Sequence, residues 1–460
     1  MFIFWRYLMK TKVFLVSLIM IFAINSGAFT ISAQTISFAE KLQVLLEKND
    51  IEGAIKLYDN IPENLAEDTD LKLLHASLLI SVHRLNEAGA ITKSLKESGN
   101  NSKDVLEMDA TIAVASGNKG AINSAVNALI SSDPYNAVAN NILGNQQALK
   151  KKYKTALGYY KKALIRDKTN EEALFGCGQM NYYIGNLQDS KTYFELLLKL
   201  RPDESQAYLY LGKLEAENES YLEAIKYVKQ AIKLNPNNSD YWIDLGQYQR
   251  SSGKFDEAEK SWSKAIELDP DYFLGYTYRA GLYDEQNRIE EALKDYHKIV
   301  ETNPKYYFAF EEIGILEFHM ENWAVAREYF MKANSINPSI AYQLMVLATF
   351  LKEKNTFEAK KYADIFIKEG NKKDMNFSKT QDYNLLRLYK DQGPVMLENT
   401  IAKELEKEQN KNKRGKLMYY FGLYYEIKNH PEIAAEYYNK ITNMQSPMFY
   451  EYRLAEWGIK

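Results

Sequence analysis

Five histidines, one cysteine and 61 acidic residues are the groups with which this 460-residue chain could do acid–base, nucleophilic or metal chemistry. His75, His83, His297, His319 and His430 stand apart from one another. No two are spaced one helical turn apart, and no His-Glu-x-x-His arrangement occurs to hold a metal. The carboxylates are spread along charged stretches, where neighbouring acids are the background of a solvated helix face. Lys403–Lys416 is such a charged run and reads as a solvated helix and loop. Cys177 has no second cysteine to pair with and reads as a small buried hydrophobe. Gly176-Cys177-Gly178 lacks the lysine and the spacing of a phosphate loop, and no Gly-x-Ser-x-Gly nucleophile turn is present. The expectation is a protein that is not an enzyme and has no cofactor and no metal site.

What the residues offer instead is repetition. Ala54, Ala88, Ile122, Ala156, Ser190, Ala224, Ala258, Ala292 and Ala326 are each 34 residues apart. Pro134, Pro202, Pro236, Pro270, Pro304 and Pro338 follow in phase, with Lys168 in the one gap. A fixed period of this length means stacked supersecondary units. Placing the alanine beat at position 20 of a 34-residue unit puts Gly144, Gly178, Gly212, Gly246, Ala280 and Gly314 at position 8. Tyr160, Phe194, Val228, Trp262, Tyr296 and Phe330 then fall at position 24. Positions 4 and 8 share one helical face, as do 20, 24 and 27. Gly253, Asn287 and Asn322 lie between the two sets, where a turn belongs. Each unit is therefore a helix, a turn and a second helix, and the proline ends the second helix.

This pattern resembles the tetratricopeptide repeat. Residues 239–272 carry it almost whole, as Trp242, Leu245, Gly246, Ala258, Trp262, Ala265 and Pro270. The resemblance implies an all-α superhelical solenoid of about 11–12 helix pairs. Nine units run in register over 35–340, and the first three are weak. The phase slips after 340, where Glu358-Ala359 arrives one residue early. Residues 341–412 read as eroded helical pairs, and 413–460 as a further repeat (Phe421, Gly422, Tyr425, Ala434, Tyr438, Ile441) with a capping helix.

By the same resemblance the first helix of each unit lines a groove. Positions 2, 5, 9 and 12 form one stripe on that helix, and they supply the candidate partner-binding residues. These are Asn141, Asn145, Phe175, Gln179, Tyr182, Lys213, Gln247, Arg250, Asp284, Glu311 and Phe318. Amides could bond a peptide backbone, and aromatics could hold its side chains. A glycan groove would instead expose Phe175, Tyr182 and Phe318 as an open row. The carboxylate clamp of some family members is missing: Asn141 stands for its lysine, Gly176 for its asparagine, and Gln206 and Tyr210 for its later Lys and Arg. The 35 tyrosines, several in doublets, are expected to place one ring inward and leave the other partly exposed.

Charged residues make up 26% of the chain and the formal net charge is −3. That balance lacks the basic stripe that nucleic acid requires. Residues 1–33 read as a signal peptide: Lys10 and Lys12 precede an apolar run at Val13–Ile24, and Ala33 closes a cleavage site. Met9 is the more usual start for such a segment. Removing Arg6, Lys10 and Lys12 with it would take the net charge to −6. The expected protein is exported, periplasmic or secreted, with an uncleaved N-terminal membrane anchor as the alternative. Its expected role is a scaffold or adaptor of the cell envelope, binding an extended peptide or partner protein. A subunit of a polysaccharide export or secretion complex, its groove facing glycan, is the alternative.

Overall fold

The computed structural model describes residues 33–393, 395–444 and 449–459. The targeting segment expected at 1–33 lies outside the described residues except for Ala33. Among the described residues every regular element is helical. The chain divides into two compact units, Met1–Asn235 and Pro236–Lys460.

The first unit is a succession of antiparallel helix pairs. The clearest are Ala137–Leu149 with Tyr153–Arg166, Glu171–Tyr183 with Leu187–Leu200, and Ser205–Glu217 with Tyr221–Leu234. Asparagine caps set the start of the first two of these first helices, and Glu204 caps the third. Asn136 Oδ1 accepts from the Ala139 amide and Asn170 Oδ1 from the Ala173 amide, both at 2.9 Å. Each satisfies an amide that the first turn leaves without an intrahelical partner.

The turn between paired helices needs one residue in the left-handed region. Asn49, His83, Gly117, Lys151, Gly185, Glu219, Gly253, Asn287 and Glu321 all have φ between +56° and +81°. They are 34 residues apart, and the next, Lys354, comes one residue early. The Gly253 amide donates to the Arg250 carbonyl at 2.9 Å and Lys254 to Gln249 at 2.8 Å, closing the helix end on its own carbonyls.

The alanine beat is where paired helices touch. Ala54, Ala88, Ala156, Ser190, Ala224, Ala258, Ala292 and Ala326 are fully buried, whereas Ile122, the one large residue of the series, is half-buried. The position-8 glycines face the position-24 side chains. A Cβ on Gly144 would stand 2.7 Å from the Tyr160 ring, closer than real Cβ contacts, so this crossing closes as it does because Gly144 has no Cβ. In the first unit successive first helices also touch one another, while second helices pack chiefly on first helices. The first-helix face is thus the surface along which neighbouring repeats meet.

The second unit continues with Ser239–Ser251, Phe255–Leu268, Phe273–Glu285, Ile289–Thr302, Tyr307–His319, Trp323–Ile336 and Ile340–Lys352. The helix Thr356–Lys373 then runs to 18 residues, and a short 3-10 turn, Phe377–Lys379, follows it. Gln381–Asp391, Val395–Lys407, Lys411–Ile427, Pro431–Thr442 and Glu451–Gly458 complete it. Its core is rich in tyrosine. Tyr389, Tyr419, Tyr424 and Tyr438 are almost completely buried. Three of these hydroxyls have partners of the kind buried phenols favour: Tyr389 donates to the Tyr420 carbonyl at 2.7 Å, Tyr438 to Glu426 Oε2 at 2.6 Å and Tyr424 to Glu398 Oε1 at 2.8 Å. The doublet rule fails at Tyr419-Tyr420, where both rings are buried. Lys411–Ile427 is covered by several helices, including Ile340–Lys352, Pro431–Thr442 and Glu451–Gly458, and so has no open side for either ring.

Candidate functional site

The candidate residues separate into two groups. In the first unit they gather on the first-helix face of three consecutive repeats. Asn141 is buried and its Nδ2 donates across to the next repeat, to Asn170 Oδ1 at 2.9 Å and Glu172 Oε2 at 3.0 Å. Asn145, one turn on and exposed, donates to Glu172 Oε1 at 2.9 Å and accepts from the Tyr160 hydroxyl at 2.5 Å. Glu172 thus receives amides from two turns of the neighbouring helix.

The next repeat holds a ring cluster. Phe175 is half-buried, edge-on to Phe194 at 5.7 Å and to Tyr210 at 5.8 Å. Gln179 Nε2 donates to the Tyr210 hydroxyl at 2.7 Å. Tyr182 stands edge-on to Tyr210 at 5.6 Å, and its hydroxyl donates to Glu217 Oε1 at 3.1 Å. Tyr183 stacks on Tyr153 at 4.8 Å, its hydroxyl lies 3.3 Å from that of Tyr210, and its side is 47% exposed. Lys213 is half-buried on the following first helix. Tyr183 and Tyr210 lie off the predicted stripe, whereas Glu172 falls on it at position 2. The readable signal was position 6 of the next repeat: Tyr210 is 31 residues from Gln179, the same offset as Glu172 from Asn141.

In the second unit the candidates have other occupations. Gln247 is half-buried, and Arg250 is exposed and paired with Glu285, Nε to Oε2 at 3.2 Å. Asp284 forms a two-pronged ion pair with Arg453. Glu311 is buried and accepts from the Tyr342 hydroxyl; burial raises its carboxyl above the ordinary range. Phe318 was expected on an open surface and is instead 7% exposed, edge-on to Trp323 at 4.9 Å inside the core. The expectation of one continuous open stripe is therefore corrected at Asn141, Glu311 and Phe318, which are buried, and at Asp284, whose carboxylate is engaged. Position 2, 5, 9 and 12 periodicity marks a helix face without telling whether a later helix covers it.

Cys177 is fully buried among Ala156, Tyr160 and Met180, and burial pushes its thiol up to about 12. A thiol so placed is a poor nucleophile. Among the described residues no group of three His, Cys, Asp or Glu side chains could hold a metal ion, and no helix is long and apolar enough to cross a membrane. A hollow of about 160 Å³ beside Pro338, Gln343, Phe366 and Phe377 is well below the ~300 Å³ of ordinary ligand pockets.

Repeated helix pairs joined by a left-handed turn, with small residues at most crossings and bulky side chains against the position-8 glycines, define a helical-repeat protein. Tetratricopeptide-repeat family models match residues 181–239 and 239–272, and the chain is a tetratricopeptide-repeat protein. Solved structures similar to it include MamA, 27% identical over 35% of this chain and 95% of that one, with a TM-score of 0.33. YrrB, described as a tetratricopeptide-repeat protein with an unusual peptide-binding site, is 22% identical over 40% of this chain and 96% of its own, with a TM-score of 0.34. A tetratricopeptide-repeat protein from Parabacteroides merdae is 19% identical over 53% of this chain and 97% of its own, with a TM-score of 0.40. No curated protein matches the chain.

Proposed function

We propose that this protein is a non-catalytic interaction scaffold that binds an extended peptide segment on the first-helix face of its first unit. The observation that carries this reading is the exposed edge of two polar and aromatic clusters on that face, Asn145 with Glu172, and Gln179, Tyr182 and Tyr183 around Tyr210. Hydrogen bonds between neighbouring repeats hold these groups in place, so little side-chain freedom is lost when a ligand docks. Amides at Asn145 and Gln179 can exchange their internal partners for a peptide backbone, and the phenol rings offer apolar faces with polar tips. The polysaccharide reading called for Phe175, Tyr182 and Phe318 as an open row; with Phe318 buried, the peptide reading is preferred. We further propose that the protein is exported and serves an envelope assembly, on the strength of the charged and apolar pattern of residues 1–33.

The test is a crosslinked pull-down from the native cell with the full chain and with a variant carrying Asn145→Ala, Gln179→Ala and Tyr182→Ala. A discrete set of proteins lost in the variant supports the reading. Equal capture by both places the binding surface elsewhere.

A further inference from the structure

The last described helix, Glu451–Gly458, lies across first helices far from it in sequence. Its Leu454, Ala455 and Gly458 pack in the ordinary way on the preceding pair: Leu454 and Ala455 are buried, and Gly458 faces the Tyr438 ring. Its other edge does something that stacking does not require. Arg453 makes a two-pronged ion pair with Asp284, 169 residues earlier, and its Nη1 is 3.6 Å from Glu312 Oε2. One turn on, Trp457 stacks on His319 with centroids 3.9 Å apart, and the Arg453 guanidinium lies 4.1 Å over the same indole. Tyr450 belongs to the ordinary packing, its hydroxyl 2.8 Å from that of Tyr420 on Lys411–Ile427.

The surface beneath is thus a cradle of two carboxylates and a flat ring, contributed by Phe273–Glu285 and Tyr307–His319. It fits a guanidinium and an aromatic spaced i, i+4. An occupant of only eight residues has little helical stability of its own, so its place depends on these contacts together with the packing of Leu454 and Ala455 on the preceding pair.

We propose that this cradle is a docking site for a partner helix bearing an arginine and an aromatic one turn apart, held in cis by residues 449–459 until such a helix displaces them. The charge complementarity of Arg453 to Asp284 and Glu312 selects a cationic–aromatic helix, and the chain's own segment shows the seated geometry.

The probe is a fluorescent peptide of residues 443–460, titrated at about pH 8 by anisotropy into the full chain and into full-length Arg453→Ala/Trp457→Ala. The double variant should bind at least about tenfold more tightly than the wild type, because cis occupancy lowers apparent affinity by the closed fraction. Adding Asp284→Asn to the variant, or Arg453→Glu to the peptide, should remove most of that binding. Equal binding to both proteins, no binding to a variant that keeps its helical circular dichroism, or indifference to Asp284→Asn overturns the proposal. Hydrogen exchange on the wild type serves if the variant fails to fold. Amides of 453–458 should exchange by local opening, faster than those of Lys411–Ile427; exchange as slow as that core helix overturns it.

Discussion

Single side chains decide whether a repeat can close and what its face offers. Ala258 is fully buried at a helix crossing, so Ala258→Leu should overpack it and cost about 1–3 kcal/mol. Lys254, at the helix start and 3.8 Å from Glu257 in an exposed pair, should tolerate alanine within about 0.5 kcal/mol. Denaturant melts of the two variants compare them, and coincident curves would mean the crossing is not where the packing places it. Glu312 supplies a pH signature. Its carboxyl is pushed up to about 7, first by burial, then by Asp284 and Glu311, with Arg453 opposing. A carboxyl raised above its unfolded value binds its proton more tightly in the folded state. Stability should therefore fall as pH rises from the ordinary glutamate range through about 7. Glu312→Gln should reduce that slope and stabilise the second unit at about pH 8, on the order of 1–3 kcal/mol. A slope unchanged in the variant would assign the titration to another group.

At the scale of elements, the turn residue every 34 positions is the most regular feature of the fold. Its occupants are either glycines or residues that carry a left-handed penalty. Glu219, with φ +58°, should become more stable by about 0.5–1 kcal/mol as Glu219→Gly, whereas Gly253→Ala at φ +78° should lose about 1 kcal/mol. Urea midpoints measured on both variants check the pair. This scale also shows what the sequence could reveal. Helix pairing was legible because small and bulky residues recur at helical spacing, and the phase slip was legible at Ala359 because the turn at Lys354 really is one residue early. The exact turn residue was less so: Asn322 was read as part of a turn whose left-handed residue is Glu321. The binding face was legible only in part. Asn145, Gln179 and Tyr182 could be placed on one stripe by counting. The burial of Glu311 and Phe318 and the capture of Asp284 by Arg453 depend on contacts made by other helices, which periodicity does not encode.

At the scale of the molecule, stability is a sum of neighbour interactions, so unfolding should not follow a single two-state transition. Calorimetric and van't Hoff enthalpies should differ, the former being the larger. The net charge of −3 gives the chain no overall cationic excess to attract a phosphate backbone. Mixed-sequence duplex DNA should show no saturable binding at physiological salt, and a saturable isotherm would demand a basic surface that the composition does not supply. The central claim, that the first-helix face of the first unit receives a peptide, is most directly tested by site-specific photocrosslinking in the native cell. A photoreactive residue replaces Tyr183, 47% exposed on that face, or Leu222, 59% exposed on a second helix. Crosslinks from position 183 to one extended segment of a partner, with none from 222, are the expected result. Capture from 222 alone, or equally from both positions, would contradict it.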